Sequence, residues 1–443
     1  MRYLFSLFVV ALCAGCGMCN RTITYTPVDR GDSLTIHEGI LCTTAQRIRY
    51  KPMTKTSAEA SIILSEPVMV TMAEQEEEWG FYQFPKIGIA DDGTLIVSWS
   101  MKKDTPKTYG LASSRQATPM MSKDGGKTWR PQDRKYEITF RGYNLTMSDG
   151  SFIQVKNPQS KDIKSYSSFP KPVSRRGKQS FYLVEDLPED LQGVYFSFSE
   201  PGAKRELIHS TLNDNGLLRY AINGLMPISW WGNIKQMADQ SLVAGVYHCY
   251  YLENNGEVSP NTVSFYRSTD KGLSWDFVGK IPSLSWDILD GFNGDGGYAE
   301  PTFEILKDST FVCVMRTGSS SPMFQSFSYD KGRSWTDPKP IAPNGVKPQL
   351  LLLKSGVLVL ASGRPGIQLR FSMDGTGQEW TDPIDMIPFM NEDGAYTRDV
   401  SCGYASIIEA GDDSFYLVYS DFTTKNEKAE GRKSIWFRKV TVK

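Results

Sequence analysis

Histidine is almost missing from this chain: His37, His209 and His248 are the only three in 443 residues. No His-Glu-x-x-His spacing and no Ser-His-Asp order can be assembled from them, which excludes the common zinc protease and serine hydrolase designs. His248, in VYHCYY, alternates like a strand residue and reads as a packed or cleft-facing neutral side chain. Cysteine is scarce and scattered. After the first 16 residues only Cys19, Cys42, Cys249, Cys313 and Cys402 remain, without the paired short spacing of a zinc site or a disulfide framework. Cys313 and Cys402 lie in apolar strand-like runs and read as small buried residues. Charge of one sign is lacking too, since 49 Lys and Arg meet 50 Asp and Glu, with no polybasic tract to grip nucleic acid. Beyond the first residues no apolar run is long enough to cross a bilayer. Phosphate-loop and dinucleotide fingerprints are absent, so no cofactor is implied; nothing resembles an EF-hand loop, and no metal site is expected. In place of these come 38 Gly, 24 Pro, 22 Phe, 21 Tyr and 10 Trp, the composition of aromatic-rich strands joined by tight turns.

The N-terminus has a separate job. Residues 1–16, MRYLFSLFVVALCAGC, place Arg2 before an apolar run from Leu4 to Leu12, too short for a stable span and about right for a secretory signal. Ala14, Gly15 and Cys16 are similar to the end of a bacterial lipoprotein signal, with Cys13 where that motif has Leu. The expectation is an exported protein, held in a bacterial envelope or at the cell surface by a lipid on Cys16, with no other membrane contact. Residues 17–75 then form a stalk or an added strand layer, and residues 76–443 form the folded body.

The body repeats itself. Ser122, Asp124, Gly126 and Trp129 recur as Ser268, Asp270, Gly272, Trp275, as Ser328, Asp330, Gly332, Trp335, and, with one extra residue, as Ser372, Asp374, Gly377, Trp380. Ser and Asp can bond turn amides, Gly permits positive φ, and Trp returns a large ring to the core. Apolar runs split by polar turns also recur, at residues 86–99, 143–155, 232–247, 302–315, 349–362 and 405–420, and read as six antiparallel hairpins. Repeated hairpins with anchored turns predict an all-β, six-bladed β-propeller. A sandwich with a small extra domain would give no reason for the periodic turns. The final run, SIWFRKVTVK, is expected to pair with SIILSEPVMVTM at residues 61–72 and so close the ring.

The four turns resemble the Asp boxes of the sialidase superfamily, and residues 76–443 resemble its six-bladed propeller. The resemblance implies three arginines around a substrate carboxylate, a tyrosine nucleophile activated by a glutamate, and an aspartate acid/base. On the matching positions, Glu300 in YAEPTFEIL takes the glutamate's place, Arg316 the second arginine's, Arg364 in ASGRPG the third's, and Tyr404 in SCGYASI the nucleophile's. Asp104, after the first hairpin, takes the acid/base position. The first arginine is replaced: the family's Tyr-Arg-Ile-Pro stands here as Tyr82, Gln83, Phe84, Pro85, and Gln83 brings hydrogen bonds without charge. Trp231 and Tyr298, at strand starts, are expected to stack on sugar.

The resulting expectation is an exo-acting glycoside hydrolase that removes a terminal, acidic sugar, sialic acid or a relative, with retention. A non-catalytic glycan-binding propeller, and a polysaccharide lyase using His248 and a tyrosine, remain as alternatives.

Overall fold

The computed structural model describes residues 40–50, 60–104, 115, 117–134, 136, 138–140, 144–291, 296–319, 321–364, 366–387 and 400–443, together with the strands Thr22–Tyr25 and Leu34–His37. The signal segment and Cys16 lie outside the described residues. Among these residues the protein is almost entirely β, with helices no longer than the six residues Trp286–Gly291. No helix among them is long and apolar enough to cross a membrane.

All six expected hairpins are formed. They pair Phe81–Ala90 with Leu95–Met101, Asn144–Thr146 with Phe152–Lys156, and Trp231–Gln236 with Leu242–Cys249. The remaining three pair Ala299–Ile305 with Phe311–Arg316, Val346–Leu352 with Leu358–Gly363, and Ala405–Gly411 with Ser414–Lys425. Each is extended outward by further antiparallel strands. Along the chain the first strands of successive hairpins touch one another, Ile138–Phe140 bridges the first and second, and the sixth returns to the first. Apolar side chains fill the spaces between neighbours: Ile153 and Phe196 against Tyr266 and Ala244, Phe265 against Phe303, Val314 against Leu350, Phe371 against Phe415, and Val418 against Ile87. The alternation that reads as a strand is therefore the alternation that buries both faces of each sheet.

The recurring turns work as their residue types require. Ser122 Oγ donates to Asp124 at 2.7 Å and accepts the Gly126 amide at 2.9 Å, while Asp124 takes the Thr128 amide at 3.0 Å. Trp129 Nε1 closes the turn onto the Gly126 carbonyl at 3.1 Å. The Ser–Asp bond recurs at Asp270, Asp330 and Asp374; Asp270 and Asp330 also take the amide four residues on, Asp374 takes that of Thr376 instead, and Trp335 Nε1 repeats the bond to its turn glycine at 3.1 Å. Gly126 sits at φ +90°, and a Cβ there would overlap the Phe437 ring, so no other residue fits. In the fourth turn the inserted residue moves the tryptophan, and Trp380 Nε1 reaches Gln325 instead, at 2.9 Å.

The chain's two ends close the arrangement. Gly431–Val442 pairs with Val68–Met72 along one half and with Ala60–Leu64 along the other. The expected partner is correct, and the folded body therefore begins before residue 76. Ile40–Leu41 adds a parallel strand to Ile384–Asp385, and Gln46–Tyr50 pairs with Ala60–Leu64, so the described part of residues 17–75 is an added strand layer and not a stalk. Buried Arg438 fastens that layer, donating to the carbonyls of Cys42 at 2.6 Å, Thr44 at 3.1 Å and Ser65 at 3.2 Å.

One element has no counterpart in the repeat. The strands Lys161–Asp162, Ser174–Arg176, Gln179–Leu183, Leu218–Ile222 and Leu225–Met226 build a five-stranded sheet inserted around the outer strands of the second hairpin. It packs on the end of the third hairpin through Phe181 on Tyr250 at 5.0 Å and Tyr220 on His248 at 5.5 Å.

Candidate active site

The candidate side chains sit at equivalent places: the start of a hairpin's first strand, or the end of its second. At these places the ladders slip, between Phe81 and Lys86, Val246 and Cys249, Ala299 and Thr302, and Val346 and Gln349. Phe84, Glu300, Lys347 and Arg364 hold φ values of +53°, +49°, +45° and +50° there. An extra residue in one strand turns the next side chain away from its normal face, and a left-handed backbone on a side-chain-bearing residue costs about 1–2 kcal/mol. Such strain, repeated at equivalent ends of successive hairpins, is the pattern of side chains aimed at a common point.

Glu300 is the centre of that point and is only 8% exposed. Its carboxylate accepts the Tyr404 hydroxyl on one oxygen. The other oxygen takes Arg316 Nη1 at 3.0 Å and the Lys347 amide at 2.9 Å. Burial works to raise the Glu300 pKa, but Arg316, Lys347 and the Tyr404 hydrogen bond outweigh it and hold the carboxyl below its ordinary range. Burial, then the Glu300 charge, push the Tyr404 phenol far above its usual value. The pair is thus a phenol that keeps its proton beside a carboxylate that has lost its own.

Arg316 and Arg364 meet through one serine. Arg316 Nη2 donates to Ser319 Oγ at 3.3 Å and Arg364 Nη1 to the same oxygen at 2.9 Å. Phe84 lies edge-on to the Tyr404 ring at 4.8 Å. The Tyr247 and His248 rings lie beside each other, with centroids 4.4 Å apart, at the end of the third hairpin's second strand. Burial lowers the His248 pKa to about 4 against the pull of Glu300, so the imidazole is neutral at neutral pH, as its strand position suggested.

Asp104 joins through a residue that no motif signalled. Trp79 Nε1 donates to Asp104 Oδ2 at 3.3 Å, and the same indole carries Arg364 over its face at 5.7 Å. The flanking residues hold the Asp104 segment as well. Glu78 pairs with Lys103 at 2.7 Å, and Gly80, at φ +101°, lets the chain pass where a Cβ would strike the Lys102 carbonyl. Glu78, Trp79 and Gly80 make a clip on residues 102–104. The only hint in the sequence was a Trp-Gly pair before the first hairpin, which needs the fold to acquire meaning.

Five candidates therefore form one connected group: Tyr404, Glu300, Arg316, Arg364 and Asp104. Trp231 is 36% exposed at the start of its strand, paired with Tyr247, while adjacent Trp230 is buried against Trp275 and Tyr266; neighbouring strand residues face opposite ways, as expected. Two candidates are corrected. Tyr298 is fully buried and packs edge-on to Phe324 at 6.0 Å, so its ring belongs to the core between the third and fourth hairpins and cannot stack on sugar. Gln83 is also fully buried, and among the described residues neither its amide nitrogen nor its oxygen has a partner. The ladder slips on both sides of it, and it presents no surface to a ligand. Cys42, Cys249, Cys313 and Cys402 are free and buried, and among the described residues no His, Cys, Asp and Glu group could hold a metal ion.

Residues 217–417 match the family profile of the BNR repeat-like domain. No curated protein matches the chain. Among solved structures, a Dyadobacter fermentans protein of unknown function is similar at 17% identity and TM-score 0.54, over 86% of this chain and 99% of that one. A Streptococcus pneumoniae NanB sialidase variant is similar at 11% identity and TM-score 0.42, over 84% and 70% of the two chains. A Penicillium chrysogenum alpha-L-arabinanase, complexed with arabinobiose, is similar at 14% identity and TM-score 0.44, over 84% and 98%.

Proposed function

We propose that this chain, a divergent member of the sialidase-type BNR-repeat superfamily, is a six-bladed propeller that hydrolyses a terminal sugar from a glycan with retention. The observation that carries the reading is the Tyr404 hydroxyl bonded to a Glu300 carboxylate that Arg316 and the Lys347 amide keep ionised.

In the first step the Tyr404 oxygen attacks the anomeric carbon, Glu300 takes the phenolic proton, and Asp104 gives its proton to the departing glycosidic oxygen. In the second, Asp104 takes a proton from water, the water oxygen displaces Tyr404, and Glu300 returns the proton to the phenolate. A neutral phenol suits an anionic sugar, because an attacking carboxylate would be repelled by the substrate's own carboxylate. Arg316 and Arg364, linked by Ser319, supply a two-armed clamp for that group. With Gln83 buried, no third arm comes from its position. The substrate is therefore an acidic sugar held by two guanidinium groups, a sialic acid or a related uronate or nonulosonate, and the protein is exported on a lipid anchor at Cys16.

Purified protein is expected to release the terminal sugar from acidic aryl glycosides, with the released sugar retaining its anomeric configuration. Tyr404→Phe should lose at least about 10²-fold in kcat while still binding the substrate. Absence of a new reducing end would refute hydrolysis. An ultraviolet-absorbing unsaturated product would assign the fold to lyase chemistry through neutral His248, and saturable binding without product would assign it to recognition alone.

A further inference from the structure

We propose that the inserted sheet is a docking surface for a carboxylated polysaccharide, along which the glycan extends away from the hollow that holds its terminal sugar. The direction assigned to the chain rests on the hydrolase reading; the binding itself does not. Between Lys156 and Lys178 the sequence carries seven basic side chains and one acid, Asp162, in a protein whose overall charge is -1. Lys161, Lys164, Lys171, Arg175, Arg176 and Lys178 are all exposed. The strand Ser174–Arg176 is the outer edge of the inserted sheet, and its hairpin with Gln179–Leu183 turns at Gly177 beside Lys178.

Position connects this charge to the site. The first part of the insertion leaves the body after Lys156, at the end of a second strand, and its second part, beyond the outer strands Val194–Ser199 and Glu206–Asn213, returns at Trp231, at the start of a first strand. Those are the places that elsewhere carry Arg316 and Glu300. Phe181 and Tyr220 seat the sheet on Tyr250 and His248, and the Arg176 guanidinium lies 3.4 Å over the Trp286 ring. Arg175 and Arg176 are thus mounted on a packed sheet, with Lys178 in its hairpin turn and Lys164 and Lys171 on the segments that lead into it, while Lys161 pairs with Asp190 at 3.8 Å. Half-exposed Trp231, between the Tyr247 strand and the returning insertion, offers a ring face on which a sugar can stack.

Charge on an edge strand also discourages pairing with another chain. Lys164 and Lys171 lie outside the edge strand, however, and that explanation leaves them without a purpose. Several exposed cations in series suit a polymer that repeats a carboxylate on each sugar, because each contact is weak alone and the polymer sums them.

The test uses the full chain with polygalacturonate as the probe. Its migration should be retarded in gels containing polygalacturonate and unaffected by dextran, and the retardation should fade as salt rises from about 0.05 to 0.5 M. The triple variant Lys171→Ala, Arg175→Ala, Lys178→Ala keeps Arg176 on Trp286; it should lose roughly tenfold in polymer affinity, unfold at the wild-type temperature, and turn over small aryl glycosides unchanged. Tyr404→Phe should bind the polymer like the wild type, which separates this surface from catalysis; polymer binding by the wild-type protein with no hydrolysis of any acidic glycoside would sink the enzyme reading and leave the docking surface standing. The proposal is overturned if wild-type protein ignores polygalacturonate, if the triple variant binds it equally well, or if the same three residues instead govern binding to phosphatidylglycerol vesicles with no effect on polymer.

Discussion

At Glu300, three donors converge on one buried carboxylate, and the balance among them sets the chemistry. Glu300→Gln keeps the shape but removes the proton acceptor, leaving Arg316 without its counter-charge. The expected result is a fall of about 10²–10⁴-fold in kcat, measured at saturating substrate, with the fold intact by circular dichroism. Two neighbouring residues also respond to pH in separate windows. His248 has a folded pKa of about 4, below its ordinary 6.5, so the unfolded chain binds more protons between those values and stability falls as pH drops from 6.5 towards 4. Glu300, depressed below its ordinary value, adds stability that is present above that value and disappears only as pH falls further, through its lowered pKa. His248→Gln should flatten the first window and leave the second, a difference that denaturant titrations at a series of pH values would reveal. If the variant kept the wild-type slope from pH 6.5 to 4, the imidazole would not be the buried neutral group described. Residue types made much of this site legible: Tyr404, Glu300, Arg316 and Arg364 stand at the ends of readable hairpins. Tyr298 misled because a strand start says where a residue begins, not which face its ring takes. Gln83 misled because slipped ladders on both sides of it obey no sequence period.

Turns, clips and insertions belong to a larger scale. The Ser-Asp-Gly turns were readable because the Ser and Asp bonds in them are local, spanning at most a few residues. The clip at residues 78–80 was not, since it acts on a segment more than twenty positions away. Trp79→Phe removes the donor to Asp104 while keeping an aromatic face beneath Arg364. A several-fold loss in kcat with little change in KM is expected. Gly80→Ala should do more, because the whole 102–104 backbone must move away, and a loss of tenfold or greater in kcat/KM is anticipated. If both variants matched wild type in rate, Asp104 would not be acting in the reaction. The inserted sheet escaped notice for a different reason: it interrupts the repeat between strands that carry no anchored turn, so nothing in the periodicity marks where it starts.

On the scale of the whole molecule, the repeat alone fixes six hairpins and the order in which they pack. Composition reached the all-β class for the same reason, since Gly-rich turns and aromatic strands leave little room for long helices. What joins the ends is a contact across the entire chain, and there Arg438 is decisive. Arg438→Met would leave the carbonyls of Cys42, Thr44 and Ser65 without their buried donor, at a cost of about 3 kcal/mol seen as a lower unfolding midpoint. Limited proteolysis should then cut first within residues 40–65. An unchanged midpoint would mean that the added strand layer is held by its apolar contacts alone.

The pairing of Gly431–Val442 with strands near residues 60–72 also has a consequence in time. Several hundred residues separate the early strands from their partner, so a very long loop must close before Ala60–Leu64 and Val68–Met72 gain their hydrogen bonds to Gly431–Val442. Closure is thereby made a late step of folding, and a chain lacking Gly431–Val442 would leave both early strands without that partner.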